Sequence, residues 1–223
     1  MATIDLYEAM RTLRAVRRLR PDPIPEDVLY RVLEAATWAP TGGNRQAWRI
    51  IVVKDPARKQ RLGELYKQVT LPYLKSYMER LAGASEEERR RAERTIRASN
   101  YLVEHFGETP VLLVVCFNPE GLAVTDAKLD RQSVVGGGSI YPAVENLLLA
   151  CRAEGLGCVL TTLLCMEEPE VRELLGIPDP WGTAAVVPIG YPVLRGHGPI
   201  SRRSVEELAF ADAWGKPFLG SSW

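Results

Sequence analysis

Two pairs of arginines carry the most legible chemistry in this chain. Arg14 and Arg17 stand near one end, Arg202 and Arg203 near the other, and all four could converge on one phosphate. A dianionic phosphate favours several forked guanidinium donors, since a charge-assisted bond is roughly twice as strong as a neutral one. Read alone, such arginines more commonly sit at the surface and pair with glutamates. A second candidate is Gly136, Gly137 and Gly138, which precede a helix and could hold an anion on their N–H groups. A third is the loop APTGGNRQAW at 39–48, where Asn44 and Gln46 offer amide edges to a flat heteroaromatic ring. Taken alone, that loop is an ordinary helix-to-strand turn.

Other chemistries are excluded by what is missing. There is no G-x-x-x-x-G-K-[ST], and no G-x-G-x-x-G after a strand, so nucleotide-binding loops of those two kinds are absent. No nucleophile elbow marks a serine hydrolase, and no carboxylate pair is singled out by its setting. His105 and His197 are the only histidines, too few for a histidine-rich metal centre. Cys116, Cys151, Cys158 and Cys165 lie in apolar segments without C-x-x-C spacing, and read as buried thiols of a reducing compartment.

The elements that position these groups follow from periodicity. Residues 136–162, GGGSIYPAVENLLLACRAEGLGCVLTT, organise the chain. Ser139 is placed to cap a helix whose first turn tolerates Pro142. Ile140, Ala143, Val144, Leu147, Leu148, Ala150 and Cys151 cover most of that helix, which therefore packs on a sheet or a second subunit. Gly155 is expected to end it in a left-handed conformation, with Leu156 as the following apolar contact. Cys158, Val159 and Leu160 then read as a short buried strand ending at Thr161 and Thr162, whose backbone can face a ligand.

Upstream, residues 3–15 predict an amphipathic helix that places Arg14 and Arg17 at its end. A second helix opens at Pro25 and continues to Pro40, and WRIIVVKD reads as a buried strand. Residues 56–105 read as helices, interrupted at Pro72, with SEEERRRAERTIRASNYLVEHF forming a solvated charged face. The second reading of those helices is a mobile lid over a pocket. VLLVVCF at 111–117 and TAAVVPIGY at 183–191 are further strands, with a helix over 167–175 between them. Pro188 requires an edge, a bulge or a place where its missing N–H is not needed. The arm at 192–223 carries a short helix near 205–208 and the aromatics Trp214, Phe218 and Trp223, and is expected to pack on another subunit. Few strands among many helices in mixed order give one α+β domain over 1–223.

Composition fits that reading. The chain has 223 residues with 46% hydrophobic and 25% charged, ordinary for a globular protein. Formal net charge is zero, which speaks against nucleic acid or an anionic membrane as partner. A DNA-binding reading of RTLRAVRRLR as a basic helix lacks both net charge and a helix-turn-helix. No apolar run approaches a membrane span, and no targeting segment opens the chain, so a cytoplasmic location is expected.

Five segments, RAVRRLRPDPIP, APTGGNRQAWRIIVVKD, NLLLACRAEGLGCVLTTL, GIPDPWGTAAVVPIGYP and SRRSVEEL, together resemble the FMN-dependent nitroreductase family in order and spacing. The resemblance implies a mixed central β-sheet flanked by helices, in an intertwined homodimer with two FMN sites at the interface. The family's R-R-S-x-R run falls on Leu13, Arg14, Ala15, Val16 and Arg17. Leu13 therefore stands where an arginine is usual and Ala15 where a serine is usual, leaving fewer phosphate donors. By the same resemblance Arg14 reaches the phosphate, Arg17 the pyrimidine edge, and Arg202 with Arg203 closes on the phosphate. Pro40, Thr41, Gly42 and Asn44 match a loop that lies against the partner's flavin, with Ala47 in place of a usual proline. Leu160, Thr161 and Thr162 match the segment facing flavin N5, and Gly137, Gly138 and Ser139 are further flavin or ribityl contacts.

The implied activity is transfer of hydride from NADPH or NADH through FMN to an electron-poor acceptor such as a nitroaromatic, quinone or enone, by a ping-pong mechanism. No protein acid or base is required, and Arg17 acts as an electrostatic stabiliser. Specificity is expected in residues 66–105 and 118–135. Alternatives are a deazaflavin-dependent reductase, a dehalogenase or a flavin-binding protein without turnover, although motifs for dehalogenation are not evident.

Overall fold

The computed structural model describes residues 4–218, so Trp223 lies outside the described residues. Helix α1 (Leu6–Thr12) is capped by Asp5, whose carboxylate accepts the Tyr7 and Glu8 amides at 2.9 and 3.1 Å. It ends sooner than its periodicity suggests, because Leu13 is already extended at φ −64°, ψ 124°. Arg14 and Arg17 therefore ride on extended chain beyond the helix. Helix α2 (Glu26–Thr37) follows with acidic residues in its first turn, then strand β1 (Trp48–Val53).

Helices α3 (Pro56–Arg80) and α4 (Glu86–His105) form a hairpin. Helix α3 runs through Pro72 without a break, contrary to the expected interruption. Ser85 and Glu88 form a reciprocal capping box at the start of α4. Strand β2 (Val111–Phe117) follows, then helix α5 (Tyr141–Ala153), the two-residue strand β3 (Gly157–Cys158), helix α6 (Glu168–Leu175), strand β4 (Gly182–Gly190) and helix α7 (Val205–Leu208).

The strands order as β1-β2-β4-β3, and every neighbouring pair is antiparallel. A mixed sheet was expected. Two helices separate β1 from β2, so the chain returns antiparallel. One helix, α5, separates β2 from β3, which leaves those two pointing the same way. Strand β4 inserts between them, antiparallel to both, and no parallel neighbours result. Strand β1 is an edge and only partly buried, where a buried strand was expected, whereas every residue of β4 is buried.

The expected strand over Cys158–Leu160 is cut short at Pro188. Val186 exchanges both backbone bonds with Thr161, at 3.0 and 2.8 Å. Pro188, two residues on, faces the same neighbour without a donor, so pairing stops at Cys158 and resumes as a single bridge at Thr161.

Alternation along β2 divides the core. Val111, Leu113 and Val115 pack with α2 and α5 through Leu29, Val32, Ala143 and Leu147. Leu112, Val114 and Cys116 pack with the hairpin through Leu62, Leu65, Leu102 and Phe106. The ring of Tyr66 stacks on Phe106 at 4.1 Å between centroids. Buried Lys59 donates to the carbonyls of Thr109 and Pro110 at 2.7 and 3.2 Å, pinning α3 to the entry of β2.

Helix α5 ends as expected: Gly155 has φ +75°, its amide reaches Arg152, and the Leu156 amide reaches Cys151 at 2.8 Å. Its start differs. Ile140 is the N-cap and makes no side-chain cap bond, because Ser139 belongs to the preceding 3₁₀ turn, Val135–Ser139. The Ser139 hydroxyl instead accepts the Gly42 amide at 3.1 Å.

Candidate functional site

The extended segment after α1 is laid against the sheet by backbone and packing together. The Val16 amide donates to the Cys158 carbonyl at 2.8 Å, and the Arg20 amide to the Tyr191 carbonyl at 2.7 Å. Val16 and Leu19 cover Gly157, where an added Cβ would meet Val16 Cγ1 at 2.7 Å and Leu19 Cδ2 at 2.8 Å. Only glycine admits that approach. With Val16 and Leu19 turned inward, Arg14, Arg17 and Arg18 are left to line a cavity.

That cavity, of about 610 Å³, lies between this segment, the middle of α4 and the chain at 194–202. Arg14, Arg17, Arg18, Arg91, Arg94 and Arg202 all line it, and none forms an ion pair among the described residues. Arg14 donates from Nε to the Gly196 carbonyl at 2.7 Å, and Arg202 from Nη1 to the Ser201 carbonyl at 2.8 Å. Arg18 sits over the Tyr101 ring, 4.6 Å from its centroid. Six uncompensated guanidinium groups around one cavity make a strongly positive site for an anion.

A second cavity of about 390 Å³ adjoins it, and Arg17 and Thr95 line both. Tyr66, Thr70, Tyr73, Leu74 and Tyr77 of α3 form one wall, and Val159–Leu163 the other. The Thr161 amide is used by Val186, while the Leu160 and Thr162 amides have no partner among the described residues. Successive amides of extended chain point to opposite sides, so these two serve the cavity and not the sheet. Arg17 is half-buried; burial pulls its pKa below the ordinary value, and Tyr66 opposes that shift. It remains a cation at any ordinary pH. The groove thus runs from a cationic end, past one desolvated guanidinium, to an aromatic slot with two free backbone donors.

The candidate residues divide in two. Arg14, Ala15, Arg17, Leu160, Thr161, Thr162 and Arg202 line this groove. Arg203, next to Arg202, is exposed and lines neither cavity. Pro40, Thr41, Gly42, Asn44, Gly138 and Ser139 gather elsewhere, joined by the Gly42–Ser139 bond. There Gln46 Nε2 donates to Asn44 Oδ1 at 3.0 Å, so the two amide edges first satisfy each other. Arg91, Arg94 and the row of tyrosines on α3 lie within the 66–105 stretch from which specificity was expected, but none of them was singled out. The charged run of α4 was expected to face solvent, and Arg91, Arg94 and Thr95 are exposed; with Ala98 they also line the open cavity, at i, i+3, i+4, i+7 spacing.

The cysteine thiols take no part in the groove's lining. Burial pushes Cys116 up to about 11, and Cys165 is raised by the same cause. Cys151 is raised by its hydrogen bond with Cys158 and by burial. All three stay protonated and unreactive at neutral pH. Among the described residues no group of three potential metal ligands comes together, and no helix is long and apolar enough to cross a membrane.

Comparison with known proteins identifies the family. NADH dehydrogenase of Thermus thermophilus is 30% identical over 93% of this chain and 96% of its own length. Iodotyrosine deiodinase 1 of Rattus norvegicus is 28% identical over 93% of this chain and 70% of its own. The fold is shared with the crystal structure of oxidized iodotyrosine deiodinase bound to FMN and 3-iodo-L-tyrosine. That likeness has a TM-score of 0.66 at 24% identity, covering 90% of this chain and 96% of that one. Residues 10–191 match the family described as Nitroreductase family. The chain belongs to the nitroreductase family and is an oxidoreductase of that family.

Proposed function

We propose that the groove holds FMN and that the enzyme passes hydride from NADPH or NADH to an electron-poor acceptor, a nitroaromatic, quinone or enone, by a ping-pong mechanism. The observation that carries this reading is the continuity of the two cavities through Arg17 and Thr95. A phosphomonoester suits the unpaired arginines at one end, and a flat polar ring suits the aromatic slot and free amides at the other. FMN, when bound, supplies the hydride-transfer chemistry.

The protein's share is binding and electrostatics. Arg14 and Arg202 hold the phosphate, each oriented by a backbone carbonyl. Arg17 presents a fixed, partly desolvated cation to the side of the ring that gains negative charge on reduction. The amides of Leu160 and Thr162 donate to the ring's polar edge. Thr161, held by Val186 on both backbone groups, keeps that segment still. No proton donor from the protein is needed.

The active form in this reading is a homodimer. Leu6, Trp38 and Leu149 line an apolar depression between α1, α2 and α5, and Trp38 is 72% exposed. An exposed apolar face of this kind marks an association surface. The cluster of Pro40, Thr41, Gly42, Asn44, Gly138 and Ser139 would then complete the partner's flavin site.

A visible spectrum of freshly purified protein, before and after anaerobic addition of NADPH or NADH, tests the reading. A yellow protein that bleaches and recovers with a quinone or nitroaromatic is expected. A colourless protein that takes up no FMN would overturn it. The kinship with iodotyrosine deiodinase 1 favours a second reading, reductive removal of halogen from a halogenated aromatic. Iodide release from 3-iodo-L-tyrosine under dithionite, without turnover of nitroaromatics or quinones, would establish that reading instead.

A further inference from the structure

We propose that α4 belongs to the cofactor site, with Arg91 and Arg94 as direct ligands of the flavin phosphate in place of the donors that positions 13 and 15 lack. The inference rests on the FMN reading above and adds two residues to it.

Three observations support it. The phosphate end is short of donors on its usual side, because Leu13 and Ala15 offer neither a guanidinium nor a hydroxyl. Of the arginines near that end, Arg14 and Arg202 each already spend one N–H on a backbone carbonyl. Arg91 and Arg94 line the same cavity, and their side chains make no hydrogen bond or ion pair among the described residues.

What sets these two apart from the other arginines of α4 is that they line the cavity with both guanidinium groups unspent. Glu87 lies four residues before Arg91, the spacing at which Arg90 does pair with Glu86 one step earlier on the same helix. Helix α4 thus pairs Arg90 and leaves Arg91 and Arg94, which line the cavity, without counter-ions among the described residues. Keeping like charges unpaired around one cavity is unfavourable unless an anion enters it.

A structural consequence follows. The hairpin touches the groove along its length, through Arg91, Arg94 and Thr95 at the cationic end and Tyr66, Tyr73 and Tyr77 at the aromatic end. The bound cofactor therefore fastens the hairpin to the sheet, and α3 and α4 are ordered most firmly when the phosphate is in place.

The test compares FMN with riboflavin, which has the same ring and ribityl chain but no phosphate. Binding of each is measured by quenching of flavin fluorescence in wild type, Arg91→Ala/Arg94→Ala and Arg91→Lys/Arg94→Lys. Loss of one charge-assisted contact at a solvent-accessible site weakens binding about 10-fold. The alanine pair is therefore expected to weaken FMN about 30- to 100-fold, to leave riboflavin within about 2-fold, and to flatten the salt dependence of FMN binding. The lysine pair is expected to lie between. Unchanged FMN affinity in the alanine pair overturns the proposal. If the change appears instead in discrimination between NADPH and NADH, these arginines serve a second anion. Equal loss of FMN and riboflavin overturns it too, and assigns Arg91 and Arg94 to shaping the hairpin. A wild-type chain that binds neither flavin removes the FMN reading itself, an outcome distinct from all of these.

Discussion

The Nε–H of Arg14 is held by the carbonyl oxygen of Gly196 at 2.7 Å, across 182 residues of sequence. One bond thus joins the two arginine-bearing ends of the chain at the cationic cavity and fixes the guanidinium plane. Gly196 can serve this way because its φ is +67° and its Cα abuts Pro192, whose Cγ would lie 2.7 Å from any added Cβ. Gly196→Ala is expected to cost about 1–3 kcal/mol from the left-handed backbone and the clash, and to weaken FMN binding by turning the carbonyl from Arg14. Thermal denaturation and flavin titration read both effects. Gly215→Ala, with φ +82° and nothing within 4 Å, should show only the smaller stability loss and leave FMN affinity unchanged.

Arg17 is the desolvated cation where the two cavities meet. Arg17→Gln keeps a planar donor and removes the charge. The bound flavin is then harder to reduce, with a two-electron midpoint potential more negative by about 30–60 mV. Spectroelectrochemical titration of the variant against wild type measures the shift, and an unchanged potential would place Arg17 away from the ring.

His197 confers a pH dependence. Its ring is 7% exposed, and Nε2 donates to the Leu156 carbonyl at 2.7 Å, which requires the neutral Nε2–H tautomer or the cation. Burial lowers its pKa first; the Leu156 carbonyl opposes this, and Arg152 and Arg14 lower it further. A base whose folded pKa lies below its unfolded value of 6.5 binds more protons unfolded, so stability is full above that pH. It is lost as pH falls below about 6.5 toward the folded pKa. Chemical denaturation between pH 8 and pH 5 is expected to show that decline, and His197→Gln, which keeps a donor for Leu156 but does not titrate, should flatten it.

The apolar depression between α1, α2 and α5 predicts the oligomeric state. Trp38→Asp places a charge at its rim and is expected to convert the dimer to monomer by light scattering, with loss of bound FMN. A wild-type monomer that retains full flavin content would remove the dimer from the functional reading.

Much of this was legible beforehand where the signal is local. The Gly155 cap, the buried β2 and β4, and the departures at Leu13 and Ala15 could all be read from neighbouring residues. That the exposed face of α4 also lines a cavity could not. A helix rich in arginine and glutamate has the same composition against solvent as against a cavity waiting for an anion. Its inner face is chosen by the seating of Leu102, Val103 and Phe106 on β2, a contact that periodicity on α4 alone does not rank above others. Pro72 misled for a related reason: a proline that stops an isolated helix is tolerated in one whose face is packed on both sides of it.

Sequence alone marked which residues could meet an anion, Arg14, Arg17, Arg202, Arg203 and the amides of Gly136, Gly137 and Gly138, because side-chain chemistry and turn geometry are properties of short segments. Tertiary structure decided that these form one groove, and that Gly42 and Ser139 lie outside it. It also brought Arg91 and Arg94 to the cavity that Arg14 and Arg202 line, and slid β4 between β2 and β3. Each of those outcomes depends on which distant surfaces bury the most apolar area together. That choice is made by the whole chain at once and leaves no mark on any single stretch of it.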